Sequence, residues 1–475
     1  RTMVEGVRRL APGTCRWIDG SGRRSRRWWQ PESIEQVDLG SLDDHAQVLR
    51  EVFERAVASA VEGHERIGIS LSGGLDSAAV AASAALAVGN VEKHRLRGYT
   101  AVPPADWNGR LRPGWDRDEI AHVSDLVGLH PSIDVTWIDV RDRDPFGHHE
   151  ALWELGAPPA VNALNSVWIH AIRDEAMADG VTLLLNGASG NLAFSADGPR
   201  VLVELARGGR FAGLAREVSA RSDLTGRPTV RVLRRELLTL LAPDALRRIR
   251  AGRRGEVSKL EMWKATKLLR SDPGSPLSDD DDLVALLPHL ARIDHTDWFR
   301  RPHLALAPIA ARAEAEAASS EWWGLTHWDP TTDRDVLEVA LAQPEWYRRH
   351  GGLERAVVRR AMSDRLPASI LQRRRRGSQL PDWFDRMTEH RETWIGEAEA
   401  ARDHPATREL IDVERITSVL RAWPTTDDGL SRDDRLVFEQ SIPRALLISR
   451  YLRWFEQRRT RIAAGGPHVV LPQRS

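Results

Sequence analysis

At 475 residues the chain is too long for one ordinary core, and two or three structural units are expected. Lys plus Arg and Asp plus Glu balance at 68 each, so no global basic field argues for nucleic acid and no acidic one for a solvating tail. The single cysteine, Cys15, excludes an internal disulfide framework and suits a reducing cytoplasm, and no apolar run of about 18 residues indicates a membrane span.

Residues 1–40 are rich in Arg, Gly and Trp, and "CRWIDGSG" followed by "SRRWWQP" reads as a hairpin. The start "RTMVEGVRRLAPGT" has no apolar stretch of a signal peptide, and because Arg1 is not an initiator the chain as given is expected to lack its true N-terminus. A helix opens at Ser41, a candidate N-cap with Asp44 three residues on, and Leu49, Val52, Phe53, Ala56 and Val57 form its apolar face. Strand and helix then alternate: "RIGISLS" and "DSAAVAASAALAV", "LRGYTAV" and "DRDEIAHVSDLVGL", "SIDVTWIDV" and "SVWIHAIRDEAMADG", then "VTLLLNG". That order implies crossover units and a parallel sheet, with ligands at the carboxyl ends of the strands. From about residue 200 the strand signal disappears, and "VRVLRRELLTLLAPDALRRIR", "DVLEVALAQ", "LERAVVRRAMSDRL" and "RALLISRYLRWFEQRRTR" are amphipathic helices. "SDPGSPLSDDDDL" reads as a solvated loop. The boundaries are therefore 1–40, 41–200 for the α/β core, and 201–475 for a mainly helical part. Trp28-Trp29 and Trp322-Trp323 read as core or interface anchors. A catalytic lysine has few places to be, because the lysines are only Lys93, Lys259, Lys264 and Lys267.

Ser72-Gly73-Gly74-Leu75-Asp76-Ser77 ends a strand and opens a helix. Two glycines let backbone N–H groups approach a ligand, and the unpaired donors and dipole of the first helical turn favour an anion there. Two hydroxyls add donors. Asp76 would repel a bare phosphate, so a divalent cation bridging carboxylate and phosphate is implied. No Gly-Lys-Ser/Thr follows, which excludes a Walker loop, and the dinucleotide fingerprint is absent.

"SLSGGLDS" resembles the pyrophosphate-binding PP-loop of the ATP pyrophosphatases, in their asparagine-synthetase branch. "GVRRLAPGT", "DRDEIAHVSDLVGLH", "PPAVNALNSVWIHAIRDEAMADGVTLLLNGASGN", "DPTTDRDVLEVALAQP" and "LERAVVRRAMSDRLPASILQRRRRG" resemble further blocks of that branch in the same order. The resemblance implies an α/β synthetase domain of the adenine nucleotide alpha hydrolase-like kind, completed by the helical part. Residues 1–40 would be the remnant of an N-terminal glutaminase-like β domain. The N-terminal catalytic cysteine of that domain is not here, Cys15 reads as a small packed residue, and ammonia production from glutamine is excluded for this chain.

Departures from the branch narrow the expectation. The block that usually carries acidic residues reads Gly187-Ala188-Ser189-Gly190-Asn191-Leu192. Ala188 stands where a glutamate or tyrosine serves the attacking amine, and Ala cannot act as a base. Asn191 stands at a usual metal-ligand position and offers only a carbonyl oxygen. The late lysine of the branch falls at Arg375, which keeps the charge and cannot act as a base. "NGASGN" followed by "LAFSADG", with "RRRRGSQLPDWF", is most similar to the lasso-peptide macrolactam synthetases. That resemblance implies ATP-dependent adenylation of an Asp or Glu side chain in a precursor peptide, then attack by its N-terminal amine. It also implies a leader-binding protein and a leader peptidase as partners, and no nucleic acid.

The resemblance implies the following roles. Ser72, Gly73, Gly74 and Ser77 hold pyrophosphate; Leu71 and the strand end Tyr99 to Val102, with Thr100, lie near adenine. Gly187 belongs to the nucleotide site, Ser189 and Gly190 line the acyl site, and Arg375 and Arg376 face phosphate. Asp76, with Asn191, binds Mg²⁺. Asp118 and Glu119 are either ligand-edge residues or a helix cap. Asp333 organises the helical part. The base is unassigned, with His170, Glu175 and Asp197 the polar groups near the motifs. The alternatives are an ammonia-using asparagine synthetase, a β-lactam synthetase-type ligase, and a non-catalytic ATP-binding scaffold.

Overall fold

A computed structural model of the chain describes residues 6–89, 96–109, 111, 114–160, 162–238, 268 and 302–471. All four lysines, the "SDPGSPLSDDDDL" stretch and the end of "VRVLRRELLTLLAPDALRRIR" lie outside the described residues.

The N-terminal hairpin is present, with β1 (Thr14–Asp19) antiparallel to β2 (Gly22–Arg27). Nearly all of it is exposed, and this corrects the expectation for Cys15, which is exposed rather than packed. A two-stranded ribbon has no second layer to bury a small apolar side chain. The tryptophans divide in the same way: Trp322 and Trp323 are buried in the core, whereas Trp28 is exposed.

Helix α1 (Leu42–Val61) starts where Ser41 predicts, with the Ser41 hydroxyl accepting the Asp44 amide, and it buries Leu49, Val52, Phe53, Ala56 and Val57. Then come β3 (Ile67–Ser70), α2 (Leu75–Val88), β4 (Leu96–Val102), β5 (Trp115–Asp116), α3 (Ile120–Leu129), β6 (Ile133–Asp139), α4 (His149–Glu154), α5 (Ala163–Ala178) and β7 (Leu183–Leu185). A strand past residue 200, β8 (Thr326–Trp328), was not anticipated. It closes a five-stranded parallel sheet of order β6-β4-β3-β7-β8. Its three residues, Thr-His-Trp, lie at the sheet edge and are partly exposed, so no apolar run marks them. β3 and β7 are central and read as continuous apolar runs.

The chain leaves β3 toward β4 on one side and later returns to β7 on the other. Their carboxyl ends therefore meet at the point where the strand order reverses, the usual crevice for a ligand in an open α/β sheet. Alanines make this crevice narrow. Ala78, Ala79, Ala81, Ala82 and Ala84 of α2 are fully buried, so the helix sits close against sheet and α1. The core around α2 is shared with the later helices Arg334–Ala342 and Ala356–Ala361, so it is continuous across residue 200. A second core joins α4, α5 and the helix Pro302–Trp323 to the C-terminal helices, ending in Ile442–Ala463. Two further short pairings, β9 (Arg349–His350) with β10 (Leu353–Glu354) and β11 (Arg376–Gly377) with β5, pin loops around the crevice.

Candidate active site

The loop between β3 and α2 is folded on itself before any ligand arrives. Ser72 Oγ and Ser77 Oγ lie 2.7 Å apart, the Ser72 amide donates to Ser77 Oγ at 3.2 Å, and the Gly74 amide donates to Ser72 Oγ at 3.2 Å. Leu71 is buried, and its carbonyl accepts the hydroxyl of buried Thr100 at 3.0 Å. The ends of β3 and β4 are locked together by that bond. The first turn of the 14-residue helix α2 opens directly from Gly74.

Asp76 lies in that first turn; its Oδ1 is buried, and the side chain as a whole keeps 15 % exposure. Burial pushes its carboxyl up to about 6, against the opposing pull of Arg355, while Asp329 and Asp197 push further in the same direction as burial. The Ser195 hydroxyl favours the charged form, yet neither Ser195 Oγ nor Asp76 Oδ1 completes a hydrogen bond of ordinary geometry. Arg355 Nη1 stands 3.8 Å from Asp76 Oδ2, and its Nε donates to Asp197 Oδ1 at 2.7 Å.

The glycine block after β7 closes over this carboxylate. A Cβ on Gly187 would lie 2.7 Å from the Asp76 carbonyl carbon, and one on Gly190 would lie 2.6 Å from Asp76 Cγ. Only glycine fits at either position without displacing the loop. The two motifs, far apart in sequence, are thus in direct contact. The Ser189 amide is fixed from a third segment, donating to Asp329 Oδ2 at 2.8 Å. Asp329 follows β8 and also accepts the Thr331 amide; burial raises its carboxyl despite the Thr331 hydrogen bonds. Ala188 and Asn191 both face solvent, Ala188 with its amide on Asn186 Oδ1 and Asn191 in a short turn from Gly190 to Leu192.

Arg375 is 64 % exposed and stands 3.4 Å from Asp116. The arginine of this run that touches the loop is Arg373, 8 % exposed, whose Nη1 donates to the Gly73 carbonyl at 2.7 Å. Arg376 lies in β11. Glu119, the N-cap position of α3, pairs with Arg373 at 2.8 Å, whereas Asp118 accepts the Ile120 amide in a turn just ahead of the helix and does not cap it. His170 sits among the rings of His148, His149 and Trp323, Glu175 pairs with Arg143, and Asp197 is the one of the three that reaches the site, through Arg355. Asp333 caps the helix Arg334–Ala342.

Sequence reasoning did not find Asp329, Arg355 or Arg373 in these positions. The signal for Asp329 was present: Asp-Pro-Thr-Thr is an aspartate capping a turn that Pro opens, right after a short strand. Arg355 carries no sequence mark, since its left-handed backbone, φ 62°, is visible only in three dimensions.

A cation fits this arrangement. Among the described residues no group of three or more His, Cys, Asp or Glu is disposed to hold a metal. The buried Asp76 Oδ1, without a hydrogen-bond partner, is the kind of oxygen that a hard divalent cation takes, with phosphate and water completing its shell. No helix among the described residues is long and apolar enough to cross a membrane. Residues 48–442 match the family model described as asparagine synthase. No curated protein matches the chain.

Proposed function

The chain belongs to the asparagine synthase family of ATP-dependent amide ligases, and from that premise we propose that it is an AMP-forming peptide cyclase: it adenylates an Asp or Glu side chain of a precursor peptide and closes a macrolactam ring with the peptide's N-terminal amine, as in lasso-peptide biosynthesis. The observation that carries this is the site around Asp76. Its loop keeps everything needed to receive pyrophosphate, while the position that serves the amine in related ligases is an exposed alanine, Ala188.

In the first step a carboxylate oxygen of the peptide attacks the α-phosphorus of ATP, and the bond to the β-phosphate breaks. Pyrophosphate leaves into the cradle made by the loop of residues 72–77 and the amides of the first turn of α2. Asp76 would hold Mg²⁺, which would supply charge neutralisation for the leaving phosphate oxygens. In the second step the amine nitrogen attacks the acyl carbon, the C–O bond to AMP breaks, and the proton of the amine passes to the departing phosphate of AMP or to water. Attack is intramolecular, so holding amine and acyl group together replaces a bimolecular encounter. Ser189 and Gly190 line the acyl side of the crevice, with Asp329 holding the Ser189 amide in place. Arg355, 3.8 Å from Asp76, and the exposed Arg375 are the cations that this reading assigns to the phosphate charge. A leader-binding protein and a leader peptidase are the partners this reading entails.

The test is a reconstituted reaction with ATP, Mg²⁺ and a core peptide bearing a free N-terminus and an internal Asp or Glu. The expected products are AMP, pyrophosphate and a peptide lighter by one water. Formation of asparagine from aspartate and ammonia, with the peptide untouched, would replace this reading with that of an asparagine synthetase. Absence of ATP–pyrophosphate exchange with every carboxylate offered would leave only an ATP-binding scaffold.

A further inference from the structure

We propose that Arg373 is the positioning residue of the anion-binding loop: its guanidinium holds the Gly73 carbonyl and so fixes the orientation of the Gly73–Gly74 peptide. This rests on the reading of residues 72–77 as a phosphate cradle. Arg373 touches three chain segments at once. Nη1 donates to the Gly73 carbonyl at 2.7 Å and to Glu119 Oε1 at 2.8 Å, and Nε donates to Asp116 Oδ2 at 3.1 Å. Nη2 stands 3.0 Å from the same Asp116 oxygen.

The guanidinium is not arranged to take a phosphate. Its forks face two carboxylates and a carbonyl, and its contact with the loop is to an acceptor. The planar peptide makes that contact decisive. With the Gly73 carbonyl turned to Arg373, the Gly74 N–H on the opposite side of the same plane points to Ser72 Oγ. A Gly-Gly peptide flips more readily than any other. Flipped, it would lose that bond and turn a carbonyl oxygen toward Ser72 Oγ, breaking the Ser72–Ser77 arrangement on which the loop is folded.

The surroundings are built around this ion pair. β5 and β11 pair in parallel, Arg376 with Trp115 and Gly377 with Asp116, which fixes the Arg373 backbone beside its partners. A Cβ on Gly73 would stand 2.7 Å from His122 Cβ and 2.9 Å from Arg373 Nη1, and one on Gly377 would collide with the Glu119 carboxylate. Both glycines flank the Arg373–Glu119 pair and leave no space for anything larger.

The experiment measures binding of Mg²⁺–ATP and of inorganic pyrophosphate by calorimetry, with thermal melting alongside, for wild type, Arg373→Lys, Arg373→Ala and Arg374→Ala. Binding needs no peptide substrate. Arg373→Ala is expected to weaken pyrophosphate binding on the order of 100-fold, the cost of a misplaced contact in a preorganised site. Arg373→Lys keeps the charge without the fork and falls between, about tenfold weaker. Arg374→Ala, exposed and one residue on, leaves binding unchanged. Millimolar guanidinium ion restores binding to Arg373→Ala, which a general loss of folding would not allow. Should Arg373→Ala fail to fold, Arg373→Lys carries the test. Undiminished binding by the folded variants overturns the positioning role alone, and a wild type that binds neither ATP nor pyrophosphate overturns the cradle and this role together.

Discussion

Replacing Asp76 by Asn is expected to make the cation-free protein more stable at neutral pH and to abolish its ligase activity. Asp76 ordinarily titrates at 3.8 and is pushed to about 6 by burial. A carboxyl raised on folding takes up protons in the native state first. Its cost is absent below 3.8, grows between 3.8 and about 6, and is complete above that. At about 1.4 kcal/mol per tenfold change in proton affinity, the ionised, enclosed carboxylate costs about 3 kcal/mol at pH 7.5 and about half that at pH 5. Asn at 76 removes the charge and keeps the shape, and Arg355 retains Asp197 as its partner. The assay is urea denaturation in EDTA from pH 5 to pH 8. The variant should exceed wild type by on the order of 2–3 kcal/mol at the alkaline end, with the gap narrowing as the pH falls. Mg²⁺–ATP should raise the wild-type midpoint and leave the variant where it is. A variant less stable than wild type, with a gap flat in pH, would refute the claim that this carboxylate is held without adequate partners.

Asp329→Ala leaves the Ser189 amide without its acceptor; it should cost about 1–3 kcal/mol and raise the Mg²⁺ needed for half-maximal activity by roughly 10- to 100-fold, with Asp329→Asn restoring most of the stability in the same titration. Gly190→Ala forces a methyl group against the Asp76 carboxylate, so a loss of about 1–3 kcal/mol by urea midpoint and a loss of activity are expected; a variant indistinguishable from wild type would mean that the two loops do not meet. His149 is held at about 3 and His170 well below its ordinary value, in each case mainly by burial, so both stay neutral in the fold while the unfolded chain protonates near 6.5. Stability should therefore fall as pH drops from about 6.5 toward 3, and His149→Phe should flatten that slope.

The loop was legible in the sequence because its chemistry is local. Strand, glycine pair, hydroxyls, acid and helix are consecutive, and each backbone consequence follows from neighbours in the chain. The parallel sheet was legible for a similar reason, since β3, β4 and β7 are buried and spell their own apolar runs. β8 was not, because an edge strand of three partly exposed residues has no pattern to show. What sequence reasoning missed at the site is of one kind. Asp329, Arg355 and Arg373 act across chain segments that meet only in the fold, and their residue types are as common on a solvated surface. The arginine run made the point most clearly: the resemblance singled out Arg375, but only packing says which of consecutive guanidinium groups is buried, and it is Arg373 that lies on Gly73.

The charge around Asp76 explains why one oxygen of its carboxylate, Oδ1, is kept from water. Asp76, Asp197 and Asp329 act on one another, and Arg355 is the cation paired with the first two. Arg373 is taken up by Asp116 and Glu119. Among these named side chains the carboxylates outnumber the arginines, so what favours a polyphosphate is the amides, the partial positive end of α2, about half a charge, and the exposed Arg375. An exposed aspartate in that place would be satisfied by water and would attract a cation weakly. Covered by Gly187 and Gly190, its buried Oδ1 has no solvent to compete, and the same burial that costs stability in the cation-free protein strengthens every contact made when a cation arrives with the phosphate. The two glycines thus link fold to function: they let the wall close on Asp76, and closure turns an ordinary carboxylate into a ligand.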